Sequence, residues 1–298
     1  MGNIEPVLTA VETPSMALMK VNKIYQQMVI GAYNPSGVKI LEEDWDNLII
    51  LDACRADKLQ ETIDMRGTFE QRTSRGTSTP HFVRSNFANR ELRDLVYISA
   101  NGWIVKLQDE LGLDFHAIEF LDDTSRQDDE VRAITPAAVT ERARQCADRY
   151  PHKRLIVHYV QPHKPYLGEF GRRTFGHAKR NLQQIMSSGE ISESELEEAY
   201  LENLELVLSS VNELIGSLEG KSVITADHGE LLGERVSPIP IKGYGHPDHI
   251  YHDALTEVPW FVCEYQTRRE IREDTRKQET RVGEKRLSEH LKDLGYAV

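Results

Sequence analysis

The chain alternates between short, mainly apolar runs and longer segments in which apolar residues recur every three or four positions. The short runs predict strands and lie at residues 47–51, 94–100, 154–160 and 223–226; the first of them is typical of a strand buried on both faces. The helical spacing covers residues 16–30, 136–150, 194–218 and a short segment that ends near residue 294. Strands that alternate with helices predict an α/β fold, in which a doubly wound, mostly parallel sheet carries helices on both faces.

Weaker patterns predict four further elements. Residues 68–72 and 258–262 are predicted strands, and we place the second at a sheet edge because Pro259 cannot donate to a ladder. Helices are predicted from Ala53 to Ile63 and from about Pro80 to Asn89. The remaining segments without periodicity are predicted to be an acidic loop, a substrate-facing excursion and a Pro-interrupted loop, at residues 122–130, 167–192 and 231–243.

These elements divide the chain into three parts. Residues 1–44 comprise an irregular lead-in and the first helix, residues 45–265 form the main domain, and residues 266–298 contain a charged, mobile surface segment and a terminal helix. The terminal helix presents Leu287, Leu291 and Leu294 on one face, which predicts that it packs on the main domain.

The first helix has an apolar face formed by Leu18, Val21, Tyr25 and Met28. Its polar face carries only two lysines, which is few for a helix that lies on a membrane. We therefore expect the apolar face to pack against the main domain rather than to contact a membrane surface.

Composition narrows the class of protein. With 298 residues the chain can bury a large core, and its net charge of −12 argues against binding of nucleic acid, which requires basic patches. The spacing of its three cysteines fits neither a disulfide framework nor a zinc knuckle. No apolar run is long enough to span a membrane or to serve as a signal peptide. We therefore predict a cytoplasmic protein, while the oligomeric state stays open.

A carboxylate follows the first buried strand. Asp52 comes directly after residues 47–51, and an acid at the end of a central strand is costly unless it is paired or binds a metal. Asp52 is therefore a candidate metal ligand, although it could instead be the N-cap of the following helix. Arg55 could bind an anionic ligand, or it could pair with Asp52 or Asp57.

A second strand ends in Asp227, His228 and Gly229. Open α/β sheets bind ligands at the carboxyl ends of their strands, so Asp227 and His228 are candidate metal ligands. The alternative is a polar turn in which His228 bonds the backbone.

Hydroxyl side chains precede a helix start at residues 74–82. Pro80 suits a first helical turn, and the helix amino terminus that follows Ser78 and Thr79 favours a bound anion. N-capping alone would also explain either hydroxyl.

Histidines cluster late in the chain. His163 stands between two prolines after a strand and has little structural reason to be histidine, whereas His158 lies within that strand and is expected to be a core residue. Three more histidines occur within seven residues, at His246, His249 and His252.

Four motifs in order resemble the alkaline phosphatase and sulfatase superfamily. They are Leu-Asp-Ala-Cys-Arg-Ala-Asp, Ser-Thr-Pro-His, Gln-Pro-His-Lys-Pro-Tyr and Ala-Asp-His-Gly-Glu, at residues 51–57, 78–81, 161–166 and 226–230. A Gly-His pair at 245–246, Leu-Thr-Glu-Val-Pro at 255–259 and Leu-Gly-Tyr at 294–296 add to a likeness that spans about residues 45–298. The resemblance is greatest to short sulfatase-like proteins, and it implies metal-assisted transfer of a phosphoryl or sulfuryl group by the main domain.

The resemblance also implies roles for individual residues. Asp52, Ser78, Asp227 and His228 match the family's metal ligands, and Ser78 matches the nucleophile because it stands two residues before Pro80. Thr79 is the alternative nucleophile. His163 and His246 match residues that bind a second metal or the ester, and His249 or His252 could complete that second site.

The implied cofactor is one divalent ion, with a second possible. Mn²⁺ or Zn²⁺ is favoured over Ca²⁺, because imidazole suits borderline ions and Ca²⁺ prefers oxygen ligands.

One departure affects the expected substrate. Sulfatases form formylglycine in a Cys/Ser-x-Pro-x-Arg setting, but the residue four positions after Ser78 is Phe82. An unmodified hydroxyl suits a phosphate ester, so we expect a hydrolase or transferase that acts on a small anionic phosphate ester. The alternatives are a sulfatase and a non-catalytic binding module.

Overall fold

The computed structural model describes residues 14–122, 133–176, 181–273 and 284–294. Predictions for the lead-in at 1–13, for residues 123–130 of the acidic loop and for residues 274–283 of the charged segment lie outside this range, as do residues 177–180 and 295–298. The strands are β1 (Asn47–Leu51), β2 (Gly67–Thr73), β3 (Glu91–Ser99), β4 (Asp114–Phe120), β5 (Arg154–Tyr159), β6 (Ser222–Thr225), β7 (Leu231–Val236), β8 (Ile241–Gly245) and β9 (Glu257–Cys263).

The α-helices vary from single turns to a long helix of 23 residues. They are α1 (Pro14–Ile30), α2 (Ala56–Thr62), α3 (Thr79–Phe87), α4 (Trp103–Lys106), α5 (Pro136–Arg149), α6 (Glu169–Phe175), α7 (Leu182–Ser187), α8 (Glu193–Ile215), α9 (Asp253–Thr256) and α10 (Glu284–Asp293).

A seven-stranded sheet forms the centre of the protein, in the order β2-β9-β6-β1-β5-β3-β4. The five strands from β6 to β4 are mutually parallel, whereas β9 is antiparallel to β6 and β2 is antiparallel to β9. Strands β7 and β8 form a separate antiparallel hairpin. The predicted mostly parallel α/β sheet is therefore confirmed.

Both faces of the sheet are covered by helices. Ile49 and Leu51 of β1 pack in a core with residues of α5 and α8, while Leu48 and Ile50 pack on the opposite face with residues of α3 and α4. Successive side chains of a strand point to opposite faces, so a strand covered on both sides is apolar throughout. This is why β1 appears in the sequence as an unbroken apolar run.

Several element predictions need correction. Strand β9 lies between β6 and β2 rather than at an edge. The ladder between β9 and β6 ends at Trp260, so Pro259 has no paired residue in β6. In an antiparallel ladder, alternate residues make no backbone hydrogen bond to a given neighbouring strand. Pro259 can therefore lie in β9 although it has no N–H to donate. The predicted loop at 231–243 contains the β7–β8 hairpin. The segment 167–192 contains α6 and α7, and the sequence pattern did not indicate β4.

The apolar face of α1 does not pack against the main domain, contrary to the sequence prediction. Its buried residues are Met19, Asn22 and Gln26. Asn22 exchanges two hydrogen bonds with the backbone of Ile239, and Gln26 bonds the backbone of Ser237 and Tyr251. Polar pairing with backbone groups therefore fixes the orientation of this helix.

The charged segment after β9 contacts the main domain over its described part. The Arg268 guanidinium donates to both carboxylate oxygens of Asp46, at 2.7 and 3.0 Å. Near the carboxyl terminus, Leu287 and Leu291 of α10 are buried, and His290 Nε2 lies 2.8 Å from the carbonyl oxygen of Ala100. The boundaries of the three parts stay predictions.

Asp46 is expected to make stability depend on pH. Burial opposes its ionisation, but hydrogen bonds from Arg268 and from the backbone of Lys221 outweigh burial and lower its pKa below the usual 3.8. The ionised carboxylate therefore stabilises the fold above about pH 3.8, and this contribution is lost as the pH falls through the lowered pKa. Urea unfolding should show a stability difference between wild type and Asp46→Asn that is full at neutral pH and shrinks below pH 3.8. A difference that stays constant with pH would contradict this assignment.

Among the described residues, no helix combines the length and the apolar composition needed to cross a membrane. Cys54, Cys146 and Cys263 are buried free thiols. The cytoplasmic location stays a prediction.

Candidate functional site

Three adjacent strands deliver polar side chains to one edge of the sheet. Strands β6, β1 and β5 are neighbours and parallel, so their carboxyl ends lie side by side. Asp227, Asp52 and His163 follow these strand ends, and the backbone N–H of His163 donates to the carbonyl of Asp52 at 3.1 Å. The edge where α/β sheets bind ligands therefore holds the residues that the sequence predicted.

Asp52, Asp227 and His228 form the first group of possible metal ligands. His228 Nε2 lies 3.5 Å from Asp52 Oδ1 and 3.4 Å from Asp227 Oδ2. All three side chains are fully buried, and none of these three atoms has a hydrogen-bond partner among the described residues. The predicted N-cap role of Asp52 does not apply, because α2 begins after Arg55.

The tautomer of His228 makes this group a good fit for a cation. His228 Nδ1 lies 2.8 Å from the carbonyl oxygen of Gly229, so Nδ1 carries the proton and Nε2 presents a lone pair. A lone pair on nitrogen and two carboxylate oxygens cannot hydrogen-bond to one another. Because buried polar atoms are otherwise paired, a divalent cation is the partner that their chemistry suits.

Electrostatics agree with this fit. Burial and the neighbouring Asp227 carboxylate raise the pKa of Asp52 well above its usual range. A positive charge among these atoms would offset both effects and keep the carboxylate ionised.

Thr79, rather than Ser78, contacts the first group. The Thr79 hydroxyl lies beside the carboxyl groups of Asp52 and Asp227 and can donate its single proton to either of them. Asn101 Nδ2 lies 3.4 Å from Thr79 Oγ1. Ser78 Oγ instead donates to Asp248 Oδ1 at 2.5 Å. Ser78 is the N-cap residue of α3 and has an extended backbone, whereas Thr79 begins the helix. The geometry therefore favours Thr79 over Ser78 for the nucleophile and metal-ligand roles.

His163, Glu230 and His246 form a second group of possible ligands. His246 Nδ1 lies 3.1 Å from Glu230 Oε1, and the His246 ring centroid is 4.8 Å from that of His163. The ring of His228 lies 4.6 Å from that of His246, so the two groups are adjacent. His163 and His246 thus lie where the resemblance implies a second metal or the ester.

Other predicted site residues are engaged elsewhere. His249 Nε2 lies 3.0 Å from the ring nitrogen of His81, and His252 is the N-cap of α9. The third member of the second group is therefore Glu230, and not His249 or His252. Arg55 is held in ion pairs with Asp57 and Glu234. Because its guanidinium is occupied by carboxylates, the structure favours the pairing alternative over a role in catalysis.

Three residues of the site were missed in the sequence. Asn101 Nδ2 donates to Asp52 Oδ2 at 2.6 Å. His158 was predicted to be a core residue. Its Nδ1 hydrogen-bonds the Tyr97 hydroxyl, and its Nε2 lies 3.7 Å from Asp227 Oδ2. Glu230 was not predicted, although its position at the end of the Ala-Asp-His-Gly-Glu motif could have indicated a site residue.

Helix α8 holds two of the site loops. The Tyr200 hydroxyl donates to the carbonyl of Ala53 and accepts from the N–H of Arg55, both at 2.9 Å. Ala53 has a φ of 61°, a left-handed conformation that is uncommon for a residue with a side chain. Asn203 Nδ2 donates to the carbonyls of Pro162 and His163. One long helix thus positions the loops that carry Asp52 and His163.

Glycine is required after His228 because of close backbone approach. A Cβ atom at Gly229 would lie 2.0 Å from the carbonyl oxygen of Ala254 in α9. The Gly229 N–H donates to Leu255 at 2.9 Å, which holds the strand end against this helix. The Asp-His-Gly motif therefore combines two candidate ligands with the packing that fixes their position.

A cavity of about 260 Å³ adjoins the second group. His163, Lys164 and His246 lie on one side, and α1 contributes Met16, Met19, Lys20 and Lys23. Burial lowers the pKa of Lys164 to about 8. The cavity thus combines apolar walls with lysines, a lining suited to an anionic ester.

Comparison with known proteins gave structural matches only. No family model and no curated protein sequence matches the chain. Lipooligosaccharide phosphoethanolamine transferase A from Neisseria meningitidis matches at 16% identity and a TM-score of 0.46, over 72% of this chain and 47% of that protein. The chain therefore spans about half of that enzyme.

Two further solved structures are similar. Phosphonate monoester hydrolase of Agrobacterium radiobacter matches at 12% identity and a TM-score of 0.48, over 75% of this chain and 70% of that one. A 2-O GAG sulfatase matches at 11% identity and a TM-score of 0.47, over 73% of this chain and 63% of that one. The solved structures similar to this chain thus include a phosphoethanolamine transferase, a phosphonate monoester hydrolase and a sulfatase.

Proposed function

We propose that the protein is a metal-dependent enzyme that transfers or hydrolyses a phosphate ester, with the Thr79 hydroxyl as nucleophile. The observation that carries this proposal is the position of Thr79. Asn101 Nδ2 lies 2.6 Å from Asp52 Oδ2 and 3.4 Å from Thr79 Oγ1, so the Thr79 hydroxyl stands beside Asp52. The unpaired oxygens of Asp52 and Asp227 converge with His228 Nε2. A hydroxyl beside a set of metal ligands is the arrangement that activates a weak nucleophile.

The chain's own residues divide the chemistry between them. Thr79 begins α3, so developing negative charge on its oxygen is favoured by the amino terminus of a nine-residue helix. Asn101 Nδ2 donates to Asp52 and lies near Thr79, which fixes both side chains. Asp52, Asp227 and His228 would hold the ion, and His163, Glu230 and His246 would hold a second ion or orient the ester. A bound divalent ion supplies charge neutralisation of the ester and lowers the pKa of a nearby hydroxyl.

In the transfer step, Thr79 Oγ1 forms a bond to phosphorus as the bond from phosphorus to the leaving alcohol oxygen breaks. The proton released by the Thr79 hydroxyl is passed to the departing alkoxide, which leaves as the neutral alcohol. The resulting phosphothreonine is then cleaved by water in a hydrolase or by an acceptor hydroxyl in a transferase.

The side chain of Thr79 favours phosphate over sulfate esters. Threonine carries a methyl group on Cβ, so its oxidation cannot give the formylglycine aldehyde of sulfatases. Ser78 could be oxidised to the aldehyde, but its hydroxyl bonds Asp248 rather than the first group. Two complete donor sets also count against a binding module without catalysis.

A paired substrate screen tests this proposal. Purified protein would be loaded with Mn²⁺ or Zn²⁺ and assayed on nitrophenyl phosphate monoesters and diesters and on the matching sulfate ester. We expect metal-dependent turnover of a phosphate ester and none in Asp227→Asn. Preference for the sulfate ester, with an aldehyde found at Ser78 by mass spectrometry, would establish a sulfatase instead. Metal-loaded protein inactive on every ester would support a binding module.

A further inference from the structure

The outer face of α1 is apolar and exposed. The exposed fractions are 38% for Leu18, 51% for Val21, 59% for Ile24, 51% for Tyr25, 81% for Met28 and 65% for Val29. Of the ten large hydrophobic residues that are exposed in the described part of the chain, seven lie on α1 between Leu18 and Ile30. Such concentration of exposed apolar side chains on one helix marks an interaction surface.

The fold itself gives α1 this orientation. Asn22 and Gln26 on the inner side make four hydrogen bonds to the backbone at Ser237, Ile239 and Tyr251. If the apolar face turned inward, these bonds would break, and backbone groups at Ser237, Ile239 and Tyr251 would lose their hydrogen-bond partners, which is costly for buried polar groups. The exposed face is therefore a fixed feature of the folded protein.

The width of the apolar face indicates the kind of partner. At 3.6 residues per turn, the six exposed side chains spread over an arc of about 140°. A coiled-coil seam is a narrower stripe, whereas a helix that lies in a membrane interface has a broad apolar face. Lys20 lies beside this arc and is exposed, as expected for a side chain that reaches lipid head groups.

The charged side chains of α1 also favour a lipid surface as the partner. The charged residues of α1 are Lys20 and Lys23, and the helix contains no acidic residue. Lys23 pairs with Asp248 at 3.3 Å, whereas Lys20 is exposed beside the apolar face. A second copy of α1 would supply no carboxylate of its own for Lys20, whereas an anionic surface attracts this side chain.

We propose that α1 docks the protein on an anionic lipid bilayer through Leu18, Val21, Ile24, Tyr25, Met28 and Val29. The helix lies along the surface, with its apolar side chains among the lipid tails near the head groups and Lys20 among the phosphates. Because α1 also lines the cavity beside His163 and His246, docking brings that cavity to the lipid surface. The proposal does not depend on the reaction catalysed at the site.

Vesicle binding of the full chain tests this surface. Flotation would be measured with vesicles of phosphatidylcholine alone and with added phosphatidylglycerol, for wild type, Val21→Glu and Met28→Glu. Leu206→Glu is the matched control, since Leu206 is 40% exposed on α8, outside this face. We expect wild type and Leu206→Glu to bind the anionic vesicles, and the two α1 variants to bind roughly tenfold or more weakly. Added salt should weaken wild-type binding.

Several results would overturn the proposal. They are absence of wild-type binding, equal binding by the α1 variants, and equal loss in Leu206→Glu. A wild-type dimer in light scattering that Val21→Glu converts to a monomer, without vesicle binding, would show that a second copy covers α1. Circular dichroism and metal content of each variant establish that it is folded.

Discussion

Replacing Thr79 with alanine is expected to lower turnover of a phosphate ester by a factor of about 10³ to 10⁶, while Ser78→Ala retains most activity. The reason is the different surroundings of the two hydroxyls. Thr79 contacts Asp52 and Asp227, whereas Ser78 is bonded to Asp248. Thr79→Ser keeps the hydroxyl and should restore part of the activity lost in Thr79→Ala.

Mass spectrometry of acid-quenched enzyme checks the assignment directly. During turnover, a phosphoryl group should appear on the peptide that contains Thr79, in wild type and in Ser78→Ala. If Ser78→Ala loses both the label and the activity while Thr79→Ala keeps them, Ser78 is the nucleophile. Unchanged circular dichroism is needed for both variants, since Ser78 is the N-cap of α3 and Thr79 is its first residue.

Asp227→Ala is expected to remove the metal of the first group, with affinity lowered by more than roughly 100-fold. Asp227 supplies one of three converging ligand atoms, and its other carboxylate oxygen accepts hydrogen bonds from the N–H groups of Ala53 and His228. The substitution therefore removes a ligand and loosens the backbone that carries the other two.

Metal content after dialysis, together with calorimetric titration, measures this loss. Asp57→Ala is a matched control because Asp57 is an acid near the site that pairs with Arg55 and belongs to neither ligand group. Glu230→Gln should spare the first ion and weaken only the second. Wild-type affinity and stoichiometry in Asp227→Ala would refute the assignment of the first group.

The sequence predicted those parts of the site that depend on a strand and its immediate end. Asp52 and Asp227 each follow a short apolar run, and parallel neighbouring strands bring such positions together. The central strands could likewise be recognised from short, mainly apolar runs, and their alternation with helical segments predicted the mostly parallel sheet.

The sequence could not predict features that depend on which way a helical side chain points or on contacts between distant parts of the chain. The motif register predicted Ser78 with Thr79 as the alternative, but a shift of one residue turns a helical side chain by about 100°, and the motif does not show which hydroxyl faces the first group. The spacing of α1 showed an apolar face but not its direction, which is set by bonds between Asn22 and Gln26 and distant loops. His158 was expected to be a core residue because its proximity to Asp227 arises only from tertiary packing.

The β7–β8 hairpin has a consequence for the order in which the site assembles. Glu230 directly precedes β7, His246 directly follows β8, and the pair Leu231 with Gly245 closes the hairpin beside them. These two ligands are 16 positions apart, whereas the contact of Ala53 with Asp227 in the first group joins residues 174 positions apart. Loop-closure entropy makes the longer connection costlier by about 2 kcal/mol. Two of the three members of the second group can therefore come together as soon as a local hairpin closes, while the first group must wait for β1 and β6 to pair across most of the chain.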